Sequence, residues 1–144
     1  GRHGCWEQYA SATGLIRRTE EEMEASPRSI LHTVAKENGA VDGRTAFQAA
    51  ERGDPAAVHL CREYAEELGC GLVNLINLLH PERVAIGGGV AAAPESLLLQ
   101  PLREIVTRES YARHGGVIPA VVRAQMGNDA GIIGAALLDR AVRE

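Results

Sequence analysis

Three short stretches of this 144-residue chain hold the residue types that chemistry uses. The first is Gly87-Gly88-Gly89, which follows Arg83-Val84-Ala85-Ile86 and leads into a helix-forming stretch. A strand ending in glycines before a helix is where an open α/β sheet receives ligands, at the carboxyl ends of its strands. Glycines let the backbone approach a nucleotide, and a following helix N-terminus favours phosphate. Yet GGGVAAAPE is neither a dinucleotide fingerprint nor a phosphate loop ending in Lys-Ser/Thr, so a ligand contact and a simple tight turn both stay open. The second stretch is GNDAG at 127–131. Asn128 or Asp129 is expected to cap the next helix, and Gly131 and Gly134 are expected to allow close helix packing. The third is the opening GRHGCWEQYAS, where Cys5 follows Gly4 and stands before a dense polar cluster that includes Glu7.

The remaining thiols and imidazoles read more plainly. Cys5, Cys61 and Cys70 are odd in number with no close pair, which fits a reducing compartment better than a disulfide framework. Cys61 and Cys70 are expected to be small buried apolar side chains on a helix. His32, His59, His80 and His114 show no ligand spacing, and His3 reads as an exposed loop residue. With 45% hydrophobic and 24% charged residues the composition is globular, and a net charge of −4 with interleaved signs argues against a dedicated nucleic-acid surface. No apolar run reaches the roughly 18 residues of a membrane span, and nothing resembles a signal peptide.

The elements that must position these stretches follow from apolar rhythm and punctuation. Residues 5–26 read as one helix on Trp6, Tyr9, Ala10, Thr13, Ile16 and Met23, with Arg17 to Glu24 as its solvated charged end. Ser26-Pro27 breaks it. Short helices are expected over 28–39, with Gly39 as stop, and over 44–52, after a turn at Val41-Asp42-Gly43. A long helix over 55–79 opens with Asp54 as N-cap and Pro55 at its first position. Ala57, Cys61, Tyr64, Leu68, Leu72, Leu75 and Leu79 recur along it at intervals of three and four, and its second half, GLVNLINLL, is expected to be buried on several sides. Gly69 and Gly71 cost helix propensity there and predict close packing against another element. His80-Pro81 ends the helix. Strands are expected over 83–86 and 120–125, with a helix from about 94 to 111 between them and a last helix over 132–142. This order predicts an α/β domain with parallel strands, and two strands are few enough that neighbouring strands are expected to be missing.

The pattern G-x-x-G-C-x-E-x-Y-x-S resembles the second half of the signature of the ROK family of sugar kinases and sugar-responsive repressors. The resemblance extends along the chain. VDGRTAFQAAERGDPAAV looks like the family's helix pair, HPERVAIGGGV like its strand and glycine turn near adenosine, and GNDAGIIGAALL like its closing helix. GCWEQYAS, with its Trp, is similar to the actinobacterial kinases of glucose; Ala12 stands where family members carry Gly. The resemblance implies an α/β, helix-rich C-terminal lobe of an actin-like (ribonuclease H-like) sugar kinase fold, with residues 1–144 as a partial C-terminal domain. It implies that Gly1 follows the second cysteine of a one-His, three-Cys structural zinc motif, that Cys5 is the third thiolate, and that Glu7 contacts hexose hydroxyls. Tetrahedral thiolate and imidazole sets suit structural Zn²⁺.

What the resemblance further implies is ATP- and Mg²⁺-dependent phosphorylation of the 6-hydroxyl of glucose by a cytoplasmic homodimer or homotetramer. Glu7 then orients the sugar, and Gly87, Gly88 and Gly89 pass close to adenosine. The family's phosphate loop, catalytic Asp and other zinc ligands are expected upstream of Gly1, so the chain alone is expected to be catalytically inert and to bind zinc poorly. Two alternatives stay open: the effector-binding part of a sugar-responsive repressor, and a kinase for another hexose, such as N-acetylmannosamine, N-acetylglucosamine or mannose.

Overall fold

The computed structural model describes residues 4–141, without the side chains of Asn128 and residues 139–141. In chain order the elements are α1 (Glu7–Ala10), α2 (Ala12–Ala25), α3 (Leu31–Asn38), α4 (Thr45–Glu51), α5 (Pro55–Leu79), β1 (Arg83–Ile86), α6 (Leu99–Glu109), β2 (Ala120–Arg123) and α7 (Ala130–Ala141), with three 3₁₀ turns at Gly89–Ala92, Tyr111–His114 and Gly127–Asp129.

Helix α5 is the spine. Asp54 caps it by accepting from the Ala57 amide at 2.9 Å, Pro55 needs no amide partner at the first position, and His80 ends it in the left-handed region at φ 49°. The same Asp54 carboxylate accepts from Ser29 Oγ at 2.9 Å and from the Ile30 amide, so one buried side chain starts α5 and fixes the entry to α3. Around α5 the core gathers Leu15 from α2, Leu31 and Val34 from α3, Phe47 from α4, and Leu102, Ile105 and Val106 from α6. Phe47 meets Tyr64 edge to face, ring centroids 6.3 Å apart.

Strands β1 and β2 pair in parallel, Arg83 opposite Ala120 and Ile86 opposite Arg123, with α6 in the connection between them. They are the whole sheet among the described residues. Arg103 of α6 donates Nε–H to the Val121 carbonyl at 2.9 Å and pairs with Glu95, tying the crossover to the sheet.

Several expectations need correction. The single helix over 5–26 is two helices, because Ser11 is extended (φ −87°, ψ 165°) and its Oγ accepts from the Gly14 amide at 3.0 Å. Tyr64 Oη–H donates to the Ala10 carbonyl at 2.9 Å, holding the break open from outside. The break turns the buried face of α2 to Gly14, Leu15 and Thr19, leaving Thr13 exposed. The helix expected from 94 starts at Leu99, after a turn in which Pro94 accepts from the Leu97 and Leu98 amides. Strand β2 stops at Arg123, and α7 begins at Ala130.

The far end of α5 also differs from expectation. Leu72, Val73 and Ile76 are buried there, but Leu75, Leu78 and Leu79 are exposed, with no described residue covering that side. Nor do Gly131 and Gly134 make close packing with any described residue. A Cβ on either would meet open space, and Ile132, Ile133, Leu137 and Leu138 of α7 are exposed.

Candidate functional site

Helix α1 is a single turn with no buried residue and no side-chain N-cap, far too short to hold itself together. Its geometry is imposed by neighbours. At its head Trp6 Nε1–H donates to the Glu67 carbonyl of α5 at 2.9 Å; at its tail Tyr64 of α5 holds Ala10. Gly14 of α2 lets the Gln8 carbonyl approach closely, since a Cβ there would lie 2.6 Å from that oxygen. Arg17 donates to the same carbonyl at 3.3 Å and pairs with Glu21.

This frame carries Glu7 on the surface at the first position of α1. Glu7 borders a hollow of about 650 Å³ shared with Gln8, Tyr9, Ser11, Thr13 and Arg17. A second, smaller and largely apolar hollow of about 220 Å³ lies between Glu7, Trp6, Ala10, Ser11 and Leu68. A carboxylate only accepts hydrogen bonds, through two oxygens, so this arrangement suits a ligand rich in hydroxyl donors. Arg17, read as part of a solvated tail, belongs to the wall of this site. The signal for it was Ser11, an N-cap residue type that resets the helix and turns Arg17 towards Gln8.

Cys5 is exposed and free, and its carbonyl accepts the Gln8 amide at 3.0 Å. Gly1 and His3 lie outside the described residues. Among the described residues no group of three or more His, Cys, Asp or Glu side chains could hold a metal ion. One thiolate does not make a tetrahedral zinc site. Cys61 is buried, and burial pushes its thiol up to about 12, which leaves it an inert core residue. Cys70 is half-buried.

The glycine turn lies elsewhere. β1 ends at Ile86, whose carbonyl accepts the Ala124 amide at 2.9 Å, and the chain then leaves the sheet. Gly88 sits at φ 75°, ψ −174°, a conformation closed to residues with a Cβ. All three glycines are exposed, and open space surrounds the Cβ positions of Gly88 and Gly89. Just beyond, Ala92, Ala93, Pro94 and Glu95 border a hollow of about 450 Å³ with Arg44, Phe47 and Gln48 of the α4 segment and Arg123 of β2. These partners went unnoticed in the sequence because they come from three separate segments. Glu7 and the glycine turn thus occupy different places, one against α2 and α5, the other beside the sheet.

The profile of the ROK family matches residues 1–142. The chain belongs to the ROK family. It is 36% identical to a glucokinase of Streptomyces coelicolor over 97% of its own length and 45% of that protein's. It therefore spans a little under half the length of the glucokinases it matches. The ROK fold is shared with a glucokinase from Streptomyces griseus solved in complex with glucose and AMPPNP, at a TM-score of 0.76 and 37% identity over 98% of this chain and 46% of that one. A ROK family transcriptional regulator, a homolog of the E. coli MLC protein, superposes at a TM-score of 0.77 with 28% identity over 98% of this chain and 34% of that one. The parallel strand pair and surrounding helices are thus part of the helix-rich, actin-like fold of ROK sugar kinases. No helix among the described residues is long and apolar enough to cross a membrane.

Proposed function

We propose that this chain is the C-terminal part of an ATP-dependent glucokinase, in which Glu7 orients glucose and Gly87, Gly88 and Gly89 pass close to the nucleotide. The observation that carries the reading is Glu7 itself. It is an exposed carboxylate on a one-turn helix held from both ends by α5, bordering an open hollow, in a chain 37% identical to a glucokinase solved with glucose and AMPPNP.

The chemistry of these residues is positional. The Glu7 carboxylate accepts hydrogen bonds from two sugar hydroxyls, each charge-assisted, and so fixes the ring against rotation. Holding the sugar by hydroxyls remote from the reacting one lowers the entropy cost of presenting the 6-hydroxyl to ATP. At the glycine turn, the absence of side chains leaves the backbone open to a flat base or ribose. Mg²⁺, when bound, neutralises phosphate charge in such transfers. Cys5 serves as a zinc ligand only with partners outside the described residues, and no step passes through that metal. The natural polypeptide is further proposed to be cytoplasmic and to assemble as a homodimer or homotetramer.

The test uses the natural full-length polypeptide with glucose, ATP and Mg²⁺. Glucose 6-phosphate should form, and Glu7→Gln should raise the glucose KM by about tenfold or more, because hydrogen bonds to a charged acceptor contribute about 1.5–3 kcal/mol each. Absence of sugar phosphate, with sugar-dependent DNA binding instead, would replace this reading with that of a repressor. The fold likeness to a transcriptional regulator keeps that second reading in view. Faster turnover of another hexose would change the substrate and leave the class intact.

A further inference from the structure

Trp6 is the only tryptophan of the chain and stands next to Glu7. The residue is 41% exposed, so burial alone does not account for its setting. Its placement on α5 is specific. The indole N–H donates to the Glu67 carbonyl at 2.9 Å, and the ring lies over Gly71, where a Cβ would sit among the Cε2, Cδ2 and Nε1 atoms. Gly71 is in the interior of a 25-residue helix, where glycine costs about 1 kcal/mol relative to alanine. The indole accounts for that glycine. Helix α1, one turn long and without a capping side chain, has no internal means of fixing its first residues.

We propose that Trp6, seated on the bare backbone of Gly71, is the positioning residue that sets the orientation of Glu7 for hexose binding. The inference rests on the sugar-binding reading of Glu7 and adds the device that aims it. Trp6 precedes Glu7 directly, so anchoring its ring and N–H at two points on α5 fixes the backbone from which the carboxylate projects. The Tyr64–Ala10 hydrogen bond then holds the other end of the same turn. A hexose bound by two carboxylate hydrogen bonds is sensitive to small rotations of this turn, because a displacement of about 1 Å can cost two orders of magnitude in a positioned interaction. Nucleotide binding at the glycine turn, beside the sheet, is not expected to respond.

The experiment measures glucose affinity by calorimetry, the ATP KM and the unfolding midpoint for the natural full-length polypeptide and five variants. Gly71→Ala should weaken glucose binding about tenfold with the ATP KM changed less than twofold. Trp6→Phe, which keeps a ring and loses the N–H, should weaken it about threefold. The double variant Trp6→Ala/Gly71→Ala should bind glucose no worse than Trp6→Ala alone, since the alanine acts only by displacing the ring. Independent, multiplying losses would overturn the proposal, as would glucose affinity within twofold of the parent in Gly71→Ala or, should that variant not fold, in Trp6→Phe. Equal losses in glucose and ATP would reduce Trp6 to a general stabiliser and also overturn it. A Glu7→Gln control separates the two levels. If that variant binds glucose normally, the sugar site itself is wrongly assigned and the inference falls with it.

Discussion

Replacing Asp54 by alanine should destabilise the protein more than any ordinary cap substitution. The carboxylate is almost fully buried and takes three donors from two segments: the Ala57 amide of α5, the Ile30 amide, and Ser29 Oγ at the entry to α3. Loss of the cap alone costs about 1 kcal/mol. Each of the other two hydrogen bonds ends on a charged acceptor, and at roughly 1 kcal/mol apiece after water reaches the freed donors the total is about 3 kcal/mol. For a chain of this length that is a fall of about 10 °C in the unfolding midpoint. Burial pushes the Asp54 carboxyl up, but the hydrogen bonds from Ala57, Ile30 and Ser29 outweigh it and hold the group below the usual carboxylate value. A depressed native pKa gives stability that is present above the unfolded value near 4 and is lost as the pH falls through the native value. The cost of Asp54→Ala should therefore be constant between pH 7 and pH 5 and shrink below pH 4. Urea unfolding followed by circular dichroism across that range measures both. A loss under 1 kcal/mol at pH 7, or one that stays the same at pH 3, would refute the reasoning.

Three other outcomes follow from the same geometry. Gly69→Ala should destabilise by about 1 kcal/mol despite the gain in helix propensity, because the new Cβ would lie 2.9 Å from both Cδ1 and Cγ2 of Ile105. Ile105→Ala should cost less in that background than in the parent, which a double-mutant cycle of unfolding free energies checks. Gly88→Val should cost about 1–3 kcal/mol of backbone strain at φ 75° and raise the ATP KM while leaving the glucose KM in place, as steady-state kinetics of the natural full-length polypeptide would record. Residues 1–144 alone should carry well under one equivalent of zinc on elemental analysis and form no sugar phosphate, since Cys5 has no fellow ligands among the described residues and metal affinity depends on ligand count. Stoichiometric metal would contradict this.

The sequence was most legible where punctuation is chemical. Asp54-Pro55 and His80-Pro81 bracket α5 at the expected residues, and β1 runs over the four residues that precede the glycines. The packing role of Gly69 and Gly71 was legible too, as glycines in a helix that otherwise has every reason to avoid them. Ser11 shows the limit. A serine is tolerated within a helix and favoured at its start, and here the choice is made by Tyr64, fifty-three residues away, whose hydroxyl claims the Ala10 carbonyl. Glycines in α7 looked the same as those in α5, yet they face open space, because a helical glycine states that room is available and not that a neighbour has taken it. At the site, the short motif around Glu7 pointed to the carboxylate. The walls around it, Arg17 in particular, depend on how α1 and α2 are jointed, and Ser11, the one local signal of that joint, settles it only together with Tyr64.

Gly69 and Gly71 are two positions apart, about 200° around the helix axis, so they open α5 on nearly opposite sides. One side admits Ile105 of α6 and the other admits Trp6. At that level α5 is little more than backbone, clasped between an aliphatic branch and an aromatic plate. Sequence drift at this point is therefore tied: a side chain gained on the helix must be matched by one surrendered across from it. Relatives in which either glycine has been replaced should carry a smaller residue at the facing position, and a single exchange should be a rare and short-lived intermediate between the paired forms.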